Sequence, residues 1–142
     1  MVFKSLEISL SALIAERERM NVISSNLANV NSTKEGKKGP YTRRRVVFKT
    51  VLEDVIDNIS GEKIQVAKVK VDRIIKDAAP YRLVYDPNHP DADKNGYVKY
   101  PNVNPVREMV DMIDAMRVYQ ANLTAFNNNK TMIQRALEIG RV

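Results

Sequence analysis

Apolar residues recur at alternating spacings of three and four at both ends of the chain, the pattern of helices that pack lengthwise against others. Near the N-terminus it runs through Leu6, Leu10, Leu13, Arg17, Met20, Ser24 and Leu27, with Ile14 and Ile23 widening the stripe. In the last third it runs through Met109, Met112, Met116, Tyr119, Leu123, Phe126, Lys130, Ile133 and Leu137. The first helix is predicted from about Phe3 to Val30, where Asn26, Asn29, Asn31, Ser32 and Thr33 offer side chains that compete with helical hydrogen bonds. The second starts more sharply. Asn104 is a good cap, and Pro105 stands at the first helical position, where its missing N–H costs nothing. Gly140 is a natural stop. About 36 residues at 1.5 Å each make a rod of roughly 54 Å, longer than a small domain needs.

Between the helices the pattern changes to β. Gly36, Gly39 and Pro40 break the chain, and Arg43-Arg44-Arg45-Val46-Val47-Phe48 reads as an extended segment. Val51, Leu52, Val55, Ile56 and Ile59 fit a short helix and a strand equally badly; an irregular or strand connection is the preferred reading. Gly61 opens a β-branched run from Ile64 to Ile75. Its alternation changes phase between Val66 and Val69, as a bulge or a change of buried face would produce. Tyr81–Tyr85 is a further short strand, ended by Asp86-Pro87 and His89-Pro90. The expected fold is α+β: a terminal helix over 1–33, a basic loop and small β-rich middle over 34–104 that projects outward, and a second helix over 105–142. The middle keeps roughly 65 to 75 residues, for which a single core supplies only about 3–5 kcal/mol. A middle of that size cannot cover both helical seams, so copies of the same chain or relatives are expected to.

Composition adds three constraints. Cysteine is absent from the 142 residues, which excludes disulfides and thiolate metal sites. Met109, Met112 and Met116 share a helix face, either as core filler or as an adaptable surface for non-identical neighbours. The formal charge is +6, and residues 34–48 carry +5 of it, six Lys or Arg against one Glu. A nucleic-acid protein more often spreads such charge over a helix or sheet face. Arg43, Arg44 and Arg45 are therefore expected to meet an acidic patch on a neighbouring subunit, with a solvated loop as the plain alternative. The apolar stretch Ile8–Ala15 resembles a signal core, but Glu7 interrupts it and the stripe continues in phase to Leu27, as in an amphipathic helix. No run reaches the length of a membrane span.

Chemistry is thinly supported. Asp91-Ala92-Asp93-Lys94-Asn95-Gly96-Tyr97-Val98 matches the opening of a calcium-binding loop, but Asn102 stands where a bidentate Glu is required, and Pro90 and Pro101 deny it flanking helices. A polar turn is the better reading. His89 is the only histidine, too little for a metal centre or a nucleophile–base pair. The glycines make no phosphate loop. Neither catalytic residues, nor a cofactor, nor a metal are expected.

Three stretches resemble a known family. Met20-Asn21-Val22-Ile23-Ser24-Ser25-Asn26-Leu27-Ala28-Asn29-Val30-Asn31-Ser32-Thr33 is similar to the Asn-rich signature of flagellar axial proteins, the subunits of rod and hook. Gly39-Pro40-Tyr41 with Arg44–Phe48, and Tyr85–Asp93 through Gly96-Tyr97-Val98 and Pro101–Asn104, resemble the proximal rod members. Glu108–Ile113, Tyr119–Asn122 and Ala136–Arg141 complete the likeness in the last helix. Residues 49–80 are the least distinctive. Lys34-Glu35-Gly36-Lys37-Lys38 is more basic, and Asn127-Asn128-Asn129 more polar, than the family pattern.

The resemblance implies a structural subunit of the proximal rod of the flagellar basal body, crossing the periplasm and transmitting torque. It implies export through the flagellar type III apparatus without a cleaved signal peptide, and terminal helices that order on assembly. Implied partners are other copies of the chain, other proximal rod proteins, the rod-to-ring adaptor and the distal rod protein. Membrane embedding and nucleic acid are not implied. The expected assembly residues are Leu6, Leu10, Leu13, Met20, Asn26, Leu27, Asn29, Asn31, Arg43, Arg44, Arg45, Met109, Met112, Met116, Tyr119, Leu123, Phe126, Ile133 and Leu137. The alternative from another class is a basic nucleic-acid-associated helical protein; a calcium-regulated adaptor comes third.

Overall fold

A computed structural model describes residues 2–35, 39–56 and 63–140. Gly36, Lys37, Lys38, Ile59, Gly61 and Arg141, to which the sequence reading gave parts of the break, the basic excess, the second strand and the family likeness, lie outside the described residues. Two helices flank two antiparallel hairpins: α1 Val2–Ala28, β1 Arg44–Ile56, β2 Lys63–Lys76, β3 Arg82–Tyr85, β4 Tyr97–Tyr100 and α2 Pro105–Ile139. The chain is α+β, as its patterning predicts.

Each helix ends where its side chains dictate. Asn29 closes α1 two residues earlier than expected, its amide and its backbone N–H both donating to the carbonyl of Ser25, at 2.8 and 3.1 Å. At the start of α2, Asn104 Oδ1 accepts from the N–H groups of Val106 and Arg107 at 3.0 and 3.2 Å, with Pro105 filling the first turn. Gly140 caps the other end, its N–H donating to Ala136 O at 3.2 Å.

The helices run antiparallel, because Asn26 near the end of α1 meets Glu108 near the start of α2. Among the described elements α1 is the only one that α2 touches, whereas α1 also packs against β1 and β2. Counting equally from that contact brings Val2 level with about residue 132. Burial agrees: Ile133 is the last half-buried residue of α2, and 134–140 are exposed.

The β1–β2 hairpin of the β-rich middle packs against α1. Ser11 Oγ accepts from Val69 N at 3.2 Å, and Lys68 Nζ bridges Glu7 at 2.8 Å and Glu53 at 2.6 Å. Residues 51–56, ambiguous by pattern, continue β1. Of the two readings of the phase change between Val66 and Val69, a bulge is not the one found, for the ladder is unbroken from Lys63↔Ile56 to Val71↔Phe48. The apolar residues change face there instead: Val66 is 7% exposed and Val69 37%. The true irregularity is one turn of the ladder further on, where Val47 pairs with Arg73 but Phe48 with Val71, leaving Asp72 as the extra residue.

β4 is a strand the sequence reading left inside a polar turn. Gly96 lets the hairpin form, having φ +80° and so little room that an added Cβ would lie 2.9 Å from the Tyr85 ring. Asp93 Oδ1 accepts from Asn95 N and Tyr97 N at 2.8 and 2.9 Å, and Val98 becomes fully buried.

Candidate assembly interface

Where the two helices meet, the interior is polar. Asn26 keeps 1% of its exposure and uses its whole amide: Nδ2 donates to Glu108 Oε2 at 2.8 Å and to Arg44 O at 2.9 Å, while Oδ1 accepts from Tyr41 Oη at 2.9 Å and Arg44 N at 3.0 Å. Glu108, fully buried in the first turn of α2, sits where the positive end of the helix dipole favours a carboxylate. Its Oε1 accepts from Arg43 Nε at 2.6 Å. The other arms of that guanidinium reach Asp77 Oδ2 at 3.1 Å and Asp111 Oδ2 at 3.2 Å. Burial alone would lower the Arg43 pKa; its hydrogen bonds to Glu108 and Asp77, with their charges, outweigh it and hold the group more firmly protonated.

This cluster joins every part of the chain at one end of the helix pair. Asn102 binds it from the far side, accepting from Arg43 N at 2.8 Å and donating to Asp77 O and Ala79 O at 3.2 and 2.9 Å. The carboxyl of Asp77 is held below its ordinary range by the Ala79 N–H and then by Arg43. Asp91, the first residue of the calcium-like motif, instead pairs with Lys34 and accepts from Thr33 Oγ1 at 2.8 Å, and both interactions lower its pKa.

Of the three arginines expected at a neighbouring subunit, Arg43 is taken inside, 7% exposed. A guanidinium with three carboxylates around it is already neutralised within its own chain. Arg44 is half-buried, paired with Glu35 and lying 5.2 Å from the Tyr41 ring centroid. Arg45 is exposed, 3.8 Å from Asp77. Asn26 is likewise internal, Asn29 closes α1, and only Asn31 of that group is exposed. Among the described residues of the segment, Lys34, Arg43, Arg44 and Arg45 each have a carboxylate within 4 Å, and nothing favours the nucleic-acid alternative.

The two seams divide in the same way. Each consists of two columns with a period of seven. On α1, Leu6, Leu13, Met20 and Leu27 are buried or half-buried, while Leu10, Arg17 and Ser24 are exposed. On α2, Met112, Tyr119, Phe126 and Ile133 are half-buried, while Met109, Met116, Leu123 and Leu137 are exposed. Apart from Asp111, every residue of α2 that is not exposed belongs to one stripe, Glu108, Met112, Ala115, Tyr119, Asn122, Phe126, Asn129 and Ile133. The partner column of Met112 is thus polar or small, one residue before the apolar column that the periodicity picks out. Val106, Met109, Ile113, Met116 and Leu123 form a second stripe beside it, again spaced by threes and fours or their sum, and α1 leaves it uncovered.

Comparison with known proteins decides the family. Residues 6–34 match the flagella basal body rod protein family, and residues 94–139 match the family described as flagellar basal body rod FlgEFG protein C-terminal. The chain is 44% identical to the flagellar basal-body rod protein FlgC of Bacillus subtilis over 147 aligned positions, 98% of each chain. It is 41% identical to FlgC of Borreliella burgdorferi, covering 97% of each, and 42% identical to FlgC of Salmonella typhimurium, covering 95% of each. The chain belongs to the FlgC family of flagellar basal-body rod proteins. The two matched segments of this FlgC-family chain hold α1 from Leu6 onward with its closing turn, and β4 with α2. They are the segments that Asn26 and Glu108 join. No described helix is long and apolar enough to cross a membrane.

Proposed function

We propose that the chain is a structural subunit of the proximal rod of the flagellar basal body, joined to its neighbours through the outward columns of its two helices. One observation carries this reading: after α1 and α2 have paired, Met109, Ile113, Met116 and Leu123 remain 55, 45, 42 and 39% exposed along one line of α2. Apolar rows of this length on a small protein mark a surface that another protein covers. Leu10 and Ile14, 47 and 53% exposed on α1, extend the uncovered surface to the other helix. The partners are further copies, the other proximal rod proteins, the rod-to-ring adaptor and the distal rod, and the subunit crosses the periplasm with them. The family resemblance supports delivery by the flagellar type III apparatus without a cleaved signal. The chain's role there is mechanical: antiparallel helices and a hairpin laid along α1 carry load lengthwise.

The test is complementation of a motile bacterium that lacks its own FlgC. The native chain restores rods in purified basal bodies; a chain carrying Met116→Asp and Leu123→Asp is made and exported but absent from them. Normal incorporation of the double variant would overturn the assignment of this surface.

A further inference from the structure

A groove of about 650 Å³ runs between α1 and the β1–β2 hairpin. Ala15 lies buried at its base, and Ile14, Val51, Val69 and Val71 give it apolar walls. Ile14 and Val69 are exposed there, so the chain's own fold leaves the groove unfilled. The N–H of Val69 is already bonded to Ser11 Oγ across it. What remains for an occupant is side-chain surface, which suits the apolar face of a helix better than an added strand.

The same chain carries such a face. Met109, Ile113 and Met116 stand at i, i+4 and i+7, with Leu123 seven positions later, the anchor spacing of a helix laid in a groove. This stripe cannot reach the groove of its own molecule. Among the described elements α2 touches neither strand of the hairpin. At 3.6 residues per turn, Ser11, Ile14, Ala15 and Glu18 fall on the flank of α1 opposite its inward row of Leu6, Leu13, Met20 and Leu27.

The charges bordering the two surfaces match. In the groove, Lys49 is paired with Asp72, and Lys68 with Glu7 and Glu53. Glu18 and Lys70, which also line it, have no ion-pair partner among the described residues, and neither have Asp114 and Arg117 on α2. Arg117 follows Ile113 by four positions and Asp114 follows Val110 by four, so both border the stripe. One free acid and one free base thus stand at the groove, and one of each beside the stripe.

Resting on the reading of the α2 stripe as an assembly surface, we propose that the stripe of one copy seats in the α1–hairpin groove of the next, with Arg117 meeting Glu18 and Asp114 meeting Lys70. Groove and stripe are different surfaces, so the contact is heterologous. It repeats head to tail and builds a ring or an open helix, not a closed pair. The groove exists only with α1 in place, so the contact belongs to the assembled state and is read in rods.

The host is again a motile bacterium that lacks its own FlgC. Glu18→Arg and Arg117→Glu each set like charges against one another across the contact, and each alone should reduce the number of rods and the motile fraction. The chain carrying both restores the pair in the opposite sense and should recover them, although the two residues do not meet within one chain. Proximity is read separately. The chain contains no cysteine, so Ile14→Cys and Met116→Cys together should give disulfide-linked multimers when purified basal bodies are oxidised, and neither alone should. If that chain stays out of rods, Val69→Cys with Ile113→Cys is read in the same way. Rods that form without multimers, single charge variants that assemble like the native chain, or a double variant as defective as either single would each overturn the proposal; the last would give the groove to a different rod protein. The stripe itself is judged by Met116→Asp with Leu123→Asp. Loss of rods in that chain, beside normal rods with Glu18→Arg and with Arg117→Glu, would remove the groove as the seat and leave the stripe an assembly surface.

Discussion

Arg43 Nε donates to Glu108 Oε1 at 2.6 Å across 65 residues of sequence, and the pair retains 7% and 0% of its exposure. Arg45, two residues away, faces solvent with only a 3.8 Å approach to Asp77. The same residue type thus serves two purposes within three positions. Removing one member of a buried pair strands the other, whereas an exposed pair is screened by water. Arg43→Met is expected to destabilise the chain by about 3–5 kcal/mol, and Arg45→Met by less than about 1 kcal/mol. Urea unfolding followed by circular dichroism separates the two; equal losses would place Arg43 outside the interior.

Asn26 supports that pair from the helix side. Asn26→Ala leaves the Tyr41 hydroxyl, both backbone groups of Arg44 and one oxygen of Glu108 without a bond each now makes. The expected loss is about 2–4 kcal/mol, since each stranded buried group costs about 1–3 kcal/mol and some relax. Hydrogen exchange should show protection falling together around Ser25, Tyr41 and Glu108. A change confined to α1 would mean that Asn26 does not couple these elements.

The elements of this fold were legible where local chemistry decides them. Asn104-Pro105 announces the start of α2, and the Asn-rich stretch announces the end of α1. The seams were legible by half: the period of seven identifies Met112, Tyr119, Phe126 and Ile133, but hydrophobicity then chooses Met109, Met116 and Leu123 as their companions. The fold chooses Glu108, Ala115, Asn122 and Asn129 instead. Apolar pattern finds the surface that any partner covers, and this chain has two such surfaces on one helix. β4 is marked only by Asn95-Gly96, a hairpin signal before Tyr97-Val98-Lys99-Tyr100, and the calcium-like spacing of Asp91 and Asp93 overlies it. The contact between Asn26 and Glu108 had no local trace beyond a glutamate in a helix's first turn. Polar residues 82 apart declare themselves partners only when the chain folds.

Glu16 gives a prediction with a definite sign. It is 9% exposed, its Oε2 has no hydrogen-bond donor among the described residues, and Arg19 stands 3.6 Å away. Burial raises its pKa above the ordinary 4.5, with Arg19 opposing. A carboxyl whose folded pKa is raised contributes fully below its unfolded pKa and loses that contribution as pH rises through the folded one. Glu16→Gln should therefore raise the melting temperature at pH 7, and the gain should vanish as pH falls below 4.5. A variant that melts lower than the native chain at pH 7 would show that Glu16 is satisfied as a carboxylate.

Leu123 and Phe126 are neighbours on α2 that belong to different stripes, and they separate folding from assembly. Phe126 lies in the inward stripe, half-buried, and Leu123 in the outward one, 39% exposed. Full burial of a Phe lost to Ala costs about 3–5 kcal/mol, so a half-buried one should cost about 1.5–2.5 kcal/mol in the free chain. Leu123 is 39% exposed, so Leu123→Ala should cost less, nearer the roughly 0.5 kcal/mol usual for surface substitutions. In cells the order reverses. Leu123→Ala, combined with Met116→Ala, should reduce the number of completed rods and the motile fraction while the free protein unfolds at the native urea concentration. Phe126→Ala should lower the unfolding midpoint and reduce rods only as far as the folded fraction falls. If both substitutions lowered stability alike, the outward stripe would be part of the chain's own core, and the surface left for its neighbours would have to lie elsewhere.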